Sequence, residues 1–135
     1  MPRKTDSCNP ADWLYFAESE LSGLRLLLDG QVAYAMCRSQ LAAALEKVLK
    51  VELIRLGWRL VKTHDLKVLA GELRARQSDL MEQVDLLCEG LAEVYYTARY
   101  PGFDLEDPDW STLRSQLEAV AALADRVIAR LAPAA

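Results

Sequence analysis

At 135 residues, 52% hydrophobic and 27% charged, the chain has the size and composition of one globular domain spanning 1–135, which excludes a disordered chain or a second core. No apolar run approaches the ~20 residues of a transmembrane helix, and the polar tail of residues 1–9 lacks the apolar segment of a secretory signal, so a cytoplasmic protein without a membrane span is expected. The net charge of −4 conceals an asymmetry: residues 38–76 hold nine Lys or Arg against four Asp or Glu, and the remainder seven against sixteen.

Asn9-Pro10 opens the first helix, with Asn9 a good N-cap and Pro10 at the first helical position, where its missing N–H costs nothing. Trp13, Ala17, Leu21, Leu24 and Leu28 recur at steps of three or four as one apolar stripe. Asp29-Gly30 ends the helix, Gly30 being suited to a left-handed cap. The second helix is expected from Val32 to Leu56, stopped by Gly57. Its apolar set, Ala33, Met36, Cys37, Leu41, Ala44, Leu45, Val48 and Leu49, is wider than one stripe, which marks a central helix. Gln40, Glu46, Lys47, Lys50, Glu52 and Arg55 are expected to form its one wet edge.

A connector, Gly57 to Asp65, leads to a short third helix over Leu66 to Arg76, capped by Thr63 or Asp65. The fourth is expected from Asp79 to Tyr100 with Ser78 as its cap, stopped by Pro101-Gly102. An acidic loop occupies 101–110, with Asp104, Glu106, Asp107 and Asp109. Its spacing lacks the alternation and glycine of a calcium loop and reads as solvated. The fifth helix begins near Ser111 and runs to just before Pro133. Cys37 and Cys88 fall at helical apolar positions and read as small core residues in a reducing compartment. With three scattered cysteines and one histidine, neither a disulfide framework nor a zinc site is expected. Long helices joined by short loops, with no alternating β pattern, predict an all-α up-and-down bundle of four or five helices.

Four strings, in order along residues 13–101, resemble the HEPN family. Trp13 with small and acidic residues after it is similar to that family's opening helix. Gln40, followed by Ala42-Ala43-Ala44-Leu45-Glu46-Lys47-Val48-Leu49-Lys50, resembles its second-helix signature. Thr63-His64-Asp65-Leu66 resembles its entry to helix three, and Thr97-Ala98-Arg99-Tyr100-Pro101 its exit from helix four. The resemblance implies a helical bundle, usually a homodimer, often encoded beside or fused to a small nucleotidyltransferase, with nucleotide binding and one branch of toxin RNases. In that branch, an Arg and a His four to six residues apart on the later helices meet across the dimer to assist attack by a ribose 2′-hydroxyl. No histidine follows Arg99 here. The only literal match is Arg59 followed by His64, in the connector before helix three. RNase chemistry is therefore not carried over.

Each candidate has two readings. His64, near Arg59 and Lys62 and at a helix start, can contact a phosphate or a base, or can simply order the turn. Lys47 can face a phosphate between helices two and four, or lie on a solvated edge. Glu46 and Lys50, four apart, form a helix-surface pair worth ~0.2–0.5 kcal/mol. Arg99 can cap helix four or bind an anion, with Tyr96 or Tyr100 stacking on a base. The expected nucleotide- or phosphate-binding set is Lys47, Lys50, Arg59, His64, Arg99 and Tyr100, with no catalytic set, metal or cofactor. The leading function is a non-catalytic nucleotide-associated module, a homodimer that partners a separately encoded nucleotidyltransferase. An RNase using the displaced Arg59 and His64, and a bare dimerisation scaffold, are the alternatives. Nucleic-acid binding is left open by the residues themselves.

Overall fold

The computed structural model describes residues 7–98, 100–102 and 107–131, with Tyr95 and Tyr96 described by their backbone alone. Local chemistry starts the first helix, α1 (Pro10–Gly30), where it was expected: the extended Asn9 accepts the Ala11 N–H at 3.1 Å, with Pro10 directly after it. Ala17, Leu21, Leu24 and Leu28 make its buried face. The end differs from expectation. Gly30 stays helical and Gln31 takes the left-handed position, with φ of 51°. Ala33 is left-handed too, with φ of 57°. Two such residues in a three-residue reversal cost about 1 kcal/mol each, and the turn they make lays α2 (Tyr34–Arg55) along α1.

α2 is the hub. It packs against α1, α3 (Leu66–Ala75), the single turn α5 (Val94–Thr97) and α6 (Trp110–Arg130). Thirteen of its 22 residues are buried. Four of those thirteen, Ser39, Glu46, Lys50 and Glu52, are polar or charged. The expected wet edge is therefore not wet: a helix with neighbours on several sides has too little solvent-facing arc for its polar residues, and three of the predicted six go under. Ala33 and Met36 are displaced in the opposite sense, exposed instead of inward, while Cys37 beside them is fully buried.

Gly57, at φ of 87°, ends α2, and the Trp58 N–H bonds back to the Leu53 carbonyl at 2.9 Å, burying the indole at the start of the connector. Asp65, not Thr63, caps α3, accepting from Lys67 and Val68 N–H. Ser78 accepts the Leu80 N–H but caps no helix, since α4 (Met81–Leu91) starts two residues later than expected. The expected fourth helix is also interrupted at Ala92-Glu93, leaving α4 and the short α5. Asp109 caps α6 through the Thr112 N–H, a bond that holds its carboxyl below the usual carboxylate range. The result is an all-α bundle, with five helices of ten residues or more and one extra turn among the described residues. Among the described residues, no helix is long and apolar enough to cross a membrane.

Cys37 and Cys88 are buried, as their positions indicated, whereas Cys8 is exposed. Burial pushes both buried thiols up, Cys88 to about 12 with help from Asp85 and Asp65. Thiolate is the reactive form. In the folded protein at pH 8, iodoacetamide is therefore expected to alkylate Cys8 alone, and intact-mass spectra should show one adduct until denaturant is added. Rapid labelling of Cys88 without denaturant would show that the α3–α4 packing opens.

Candidate functional site

The site grows from consecutive turns of α2. Spacings of three and four place Glu46, Lys47 and Lys50 along one side of the helix, where the N-terminal half of α1 and the connector cover them. The Lys50 ammonium donates to Glu46 Oε2 at 2.9 Å, and the side chains are only 5% and 9% exposed. This is the helix pair expected from sequence, but buried, so its energetics are those of an internal ion pair and not of a surface one. Lys50 Nζ also stands 4.9 Å from the centroid of the Trp13 ring on α1, a favourable arrangement for a desolvated cation.

His64 reaches back from the end of the connector, its Nδ1 2.9 Å from Glu46 Oε1. A carboxylate oxygen can only accept, so Nδ1 carries the proton and the ring is oriented by α2. Glu46 is thus held on both oxygens, by Lys50 on one and His64 on the other. Lys47 pairs with Glu20 of α1 at 2.6 Å, both side chains 19% exposed. The second oxygen of Glu20, Oε2, is buried with no hydrogen-bond partner among the described residues.

Two adjoining cavities meet here, sharing Glu46, Lys47 and His64. The smaller, about 90 Å³, has Ser39, Ala42 and Ala43 of α2 as its floor and Leu66, Leu91 and Ala92 opposite. The larger, about 280 Å³, is bounded by Trp13, Lys50, Leu60, Lys62 and Thr63. Small side chains on α2 make the first cavity, which explains a use for the alanine run that precedes Glu46. A groove of about 350 Å³ between α4 and α6 is roomier, but no residue lining it is ionisable at neutral pH.

Of the six expected residues, the fold brings Lys47, Lys50 and His64 together. Arg59 is exposed on the connector and Tyr100 is 54% exposed; neither lines these cavities. Arg99, the Tyr96 side chain, Asp104 and Glu106 lie outside the described residues. Trp13 and Glu20 enter the site from α1, residues whose spacing from Lys47 and Lys50 carries no local signal. The basic middle is partly neutralised by the acidic flanks: Lys47 by Glu20, Arg74 by Asp85 at 2.7 Å, and Lys67 by Glu93 at 3.7 Å. Around the cavities, Lys47 is paired with Glu20 and Lys50 with Glu46, and Lys62 lines the larger one.

A family model described as HEPN domain matches residues 11–131. Neither a curated protein nor a solved structure matches the chain.

Proposed function

The chain belongs to the HEPN domain family, and on that premise we propose that it is a nucleotide-associated binding module, the non-catalytic partner of a separately encoded nucleotidyltransferase. The observation that carries the reading is the pair of cavities meeting at Glu46, Lys47 and His64. A nucleotide presents a flat base and an anionic phosphate. Trp13 and Leu60 supply apolar wall, Lys47 and Lys62 supply cations, and Thr63 a hydroxyl. The larger volume, about 280 Å³, lies just below the ~300–1,000 Å³ range of small-molecule sites, which suits a mononucleotide better than a folded RNA. Lys50 acts from within: buried on Glu46, it fixes the carboxylate that fixes His64, and does not itself meet the ligand.

Isothermal titration calorimetry with AMP and ATP, against inorganic phosphate, tests the module. His64→Ala and Lys62→Ala replace exposed side chains, so the fold should survive, and each is expected to weaken nucleotide binding by about tenfold. Arg59→Ala should leave it unchanged. Native mass spectrometry of protein purified gently from its own host tests the partner, with a co-purifying nucleotidyltransferase as the expected result. Wild-type protein that binds neither nucleotide nor enzyme would leave the bare scaffold. RNA cleaved by the wild type but not by His64→Ala would install the RNase reading, against which the placement of Arg59 away from the His64 cavities counts.

A further inference from the structure

The groove between α4 and α6 stands apart from the His64 cavities and has a chemistry of its own. Arg126 of α6 donates to Gln83 of α4, and a Cβ placed on Gly90 would meet the Gln116 Nε2 at 2.8 Å. From 83 to 90 on α4 the facing positions thus fall from 126 to 116 on α6, so the two helices run antiparallel and form the walls of a slot. Leu86, Leu87 and Ala119 give the slot its apolar surface. Leu86 is 68% exposed there. Two carboxamides, Gln83 and Gln116, and the hydroxyls at 111, 112 and 115 give it a polar edge. The bare Cα of Gly90 is what lets the Gln116 carboxamide lie across α4. At about 350 Å³ the groove falls within the ~300–1,000 Å³ of small-molecule sites.

The hydrogen-bonding groups of the two walls select the ligand. A guanidinium only donates, so Arg126 occupies the Gln83 Oε1, and the amide N–H groups are what Gln83 has to offer a ligand. Thr112 Oγ1 donates its proton to Asp109 Oδ2 at 2.8 Å, so toward a ligand it accepts. The α4 wall therefore carries a donor and the α6 wall an acceptor. No lining residue is ionisable at neutral pH, and an ionic ligand would shed its water here without meeting an opposite charge. The complement is a molecule of no net charge with a carbonyl for Gln83, an N–H for Thr112 and an apolar ring for Leu86, Leu87 and Ala119. We propose that the α4–α6 groove is a second binding site, for small uncharged aromatic carboxamides and lactams. This site is independent of the nucleotide reading, because it shares no residue with the His64 cavities.

NMR titrations of isotope-labelled protein with nicotinamide and with nicotinate test the site, since the two probes differ only in carboxamide against carboxylate. Nicotinamide is expected to shift the backbone signals of Leu86, Leu87 and Thr112 and the side-chain amides of Gln83 and Gln116, with a Kd of about 1 mM for so small a ligand. Nicotinate should bind at least about tenfold more weakly. Gln83→Glu keeps an acceptor for Arg126 and loses the amide donor. Gly90→Ala displaces the Gln116 carboxamide while only the end of a flexible side chain has to move. Each variant is expected to keep the fold, checked by circular dichroism, and to bind nicotinamide about fivefold more weakly. No shifts in the wild type, shifts confined to Glu46, Lys47 and His64, equal binding of nicotinate, or undiminished binding in either variant would overturn the proposal.

Discussion

Glu46→Ala is expected to lower the unfolding free energy by about 3–5 kcal/mol, the cost of leaving a buried charge without its partner. The charge is that of Lys50, whose side chain is 5% exposed and donates to Glu46 at 2.9 Å. The Trp13 ring 4.9 Å away offers some compensation, but a cation–π contact reaches only about 2 kcal/mol when desolvated, and it is already present in the wild type. His64 adds little to the loss, because its side chain is 62% exposed and water can replace Glu46 at Nδ1. Removing the charge on both sides is a different experiment: Glu46→Leu with Lys50→Met should recover most of the stability, as apolar replacement of a buried pair commonly does. Urea titrations with unchanged slopes would measure both, and a loss under about 1 kcal/mol in Glu46→Ala would mean that Lys50 finds water. In the double variant, restored stability should come without restored nucleotide binding, since His64 has lost the group that orients it.

Glu52→Ala is expected to cost about 2–3 kcal/mol and to leave nucleotide binding intact. Glu52 is 1% exposed and accepts from Arg55 at 2.5 Å and from Arg130 of α6 at 2.6 Å. Arg130 donates as well to Asp79 ahead of α4, at 2.7 Å, so one carboxylate and one guanidinium tie three elements together. The loss is smaller than at Glu46 because the groups left behind, Arg55 at 32% and Arg130 at 23% exposure, regain water when their partner goes. The hydrogen bond from Arg130 holds the Asp79 carboxyl below its usual value. That contribution is complete above the unfolded pKa and disappears as pH falls through the lower folded one. Denaturant midpoints of Glu52→Ala beside a nucleotide titration separate the two carboxylates of α2: both hold the fold, and only Glu46 lines the cavities. Lost nucleotide binding in a folded Glu52→Ala would contradict this division.

Parts of the fold were legible because their causes lie within a few residues. Asn9 caps α1 and Asp65 caps α3 through N–H groups two or three residues away, and Gly57 stops α2 where only a left-handed residue fits. Where a distant contact competes with the local preference, the local signal no longer decides. Gln31 replaced Gly30 as the left-handed residue, since the α1–α2 reversal needs its bend one residue later. Ser78 was left outside α4. The interruption at Ala92-Glu93 has no glycine or proline to announce it; the short turn that follows lies against α2, a contact made across more than forty residues of chain.

By itself the sequence determined most of the helices, the buried face of α1, the core cysteines and the family, because helical periodicity and short motifs are local properties. Only the tertiary structure decided which charges are buried. Glu46, Lys47, Lys50 and Glu52 read as a wet edge while α2 is considered alone, where any polar stripe faces water. Surrounding α2 with α1, α3, α5 and α6 removes that water, and each of these charges then persists by meeting an opposite one from Glu20, Arg130 or its own helix. Desolvation depends on the number and position of neighbours, which no window of residues along one helix contains.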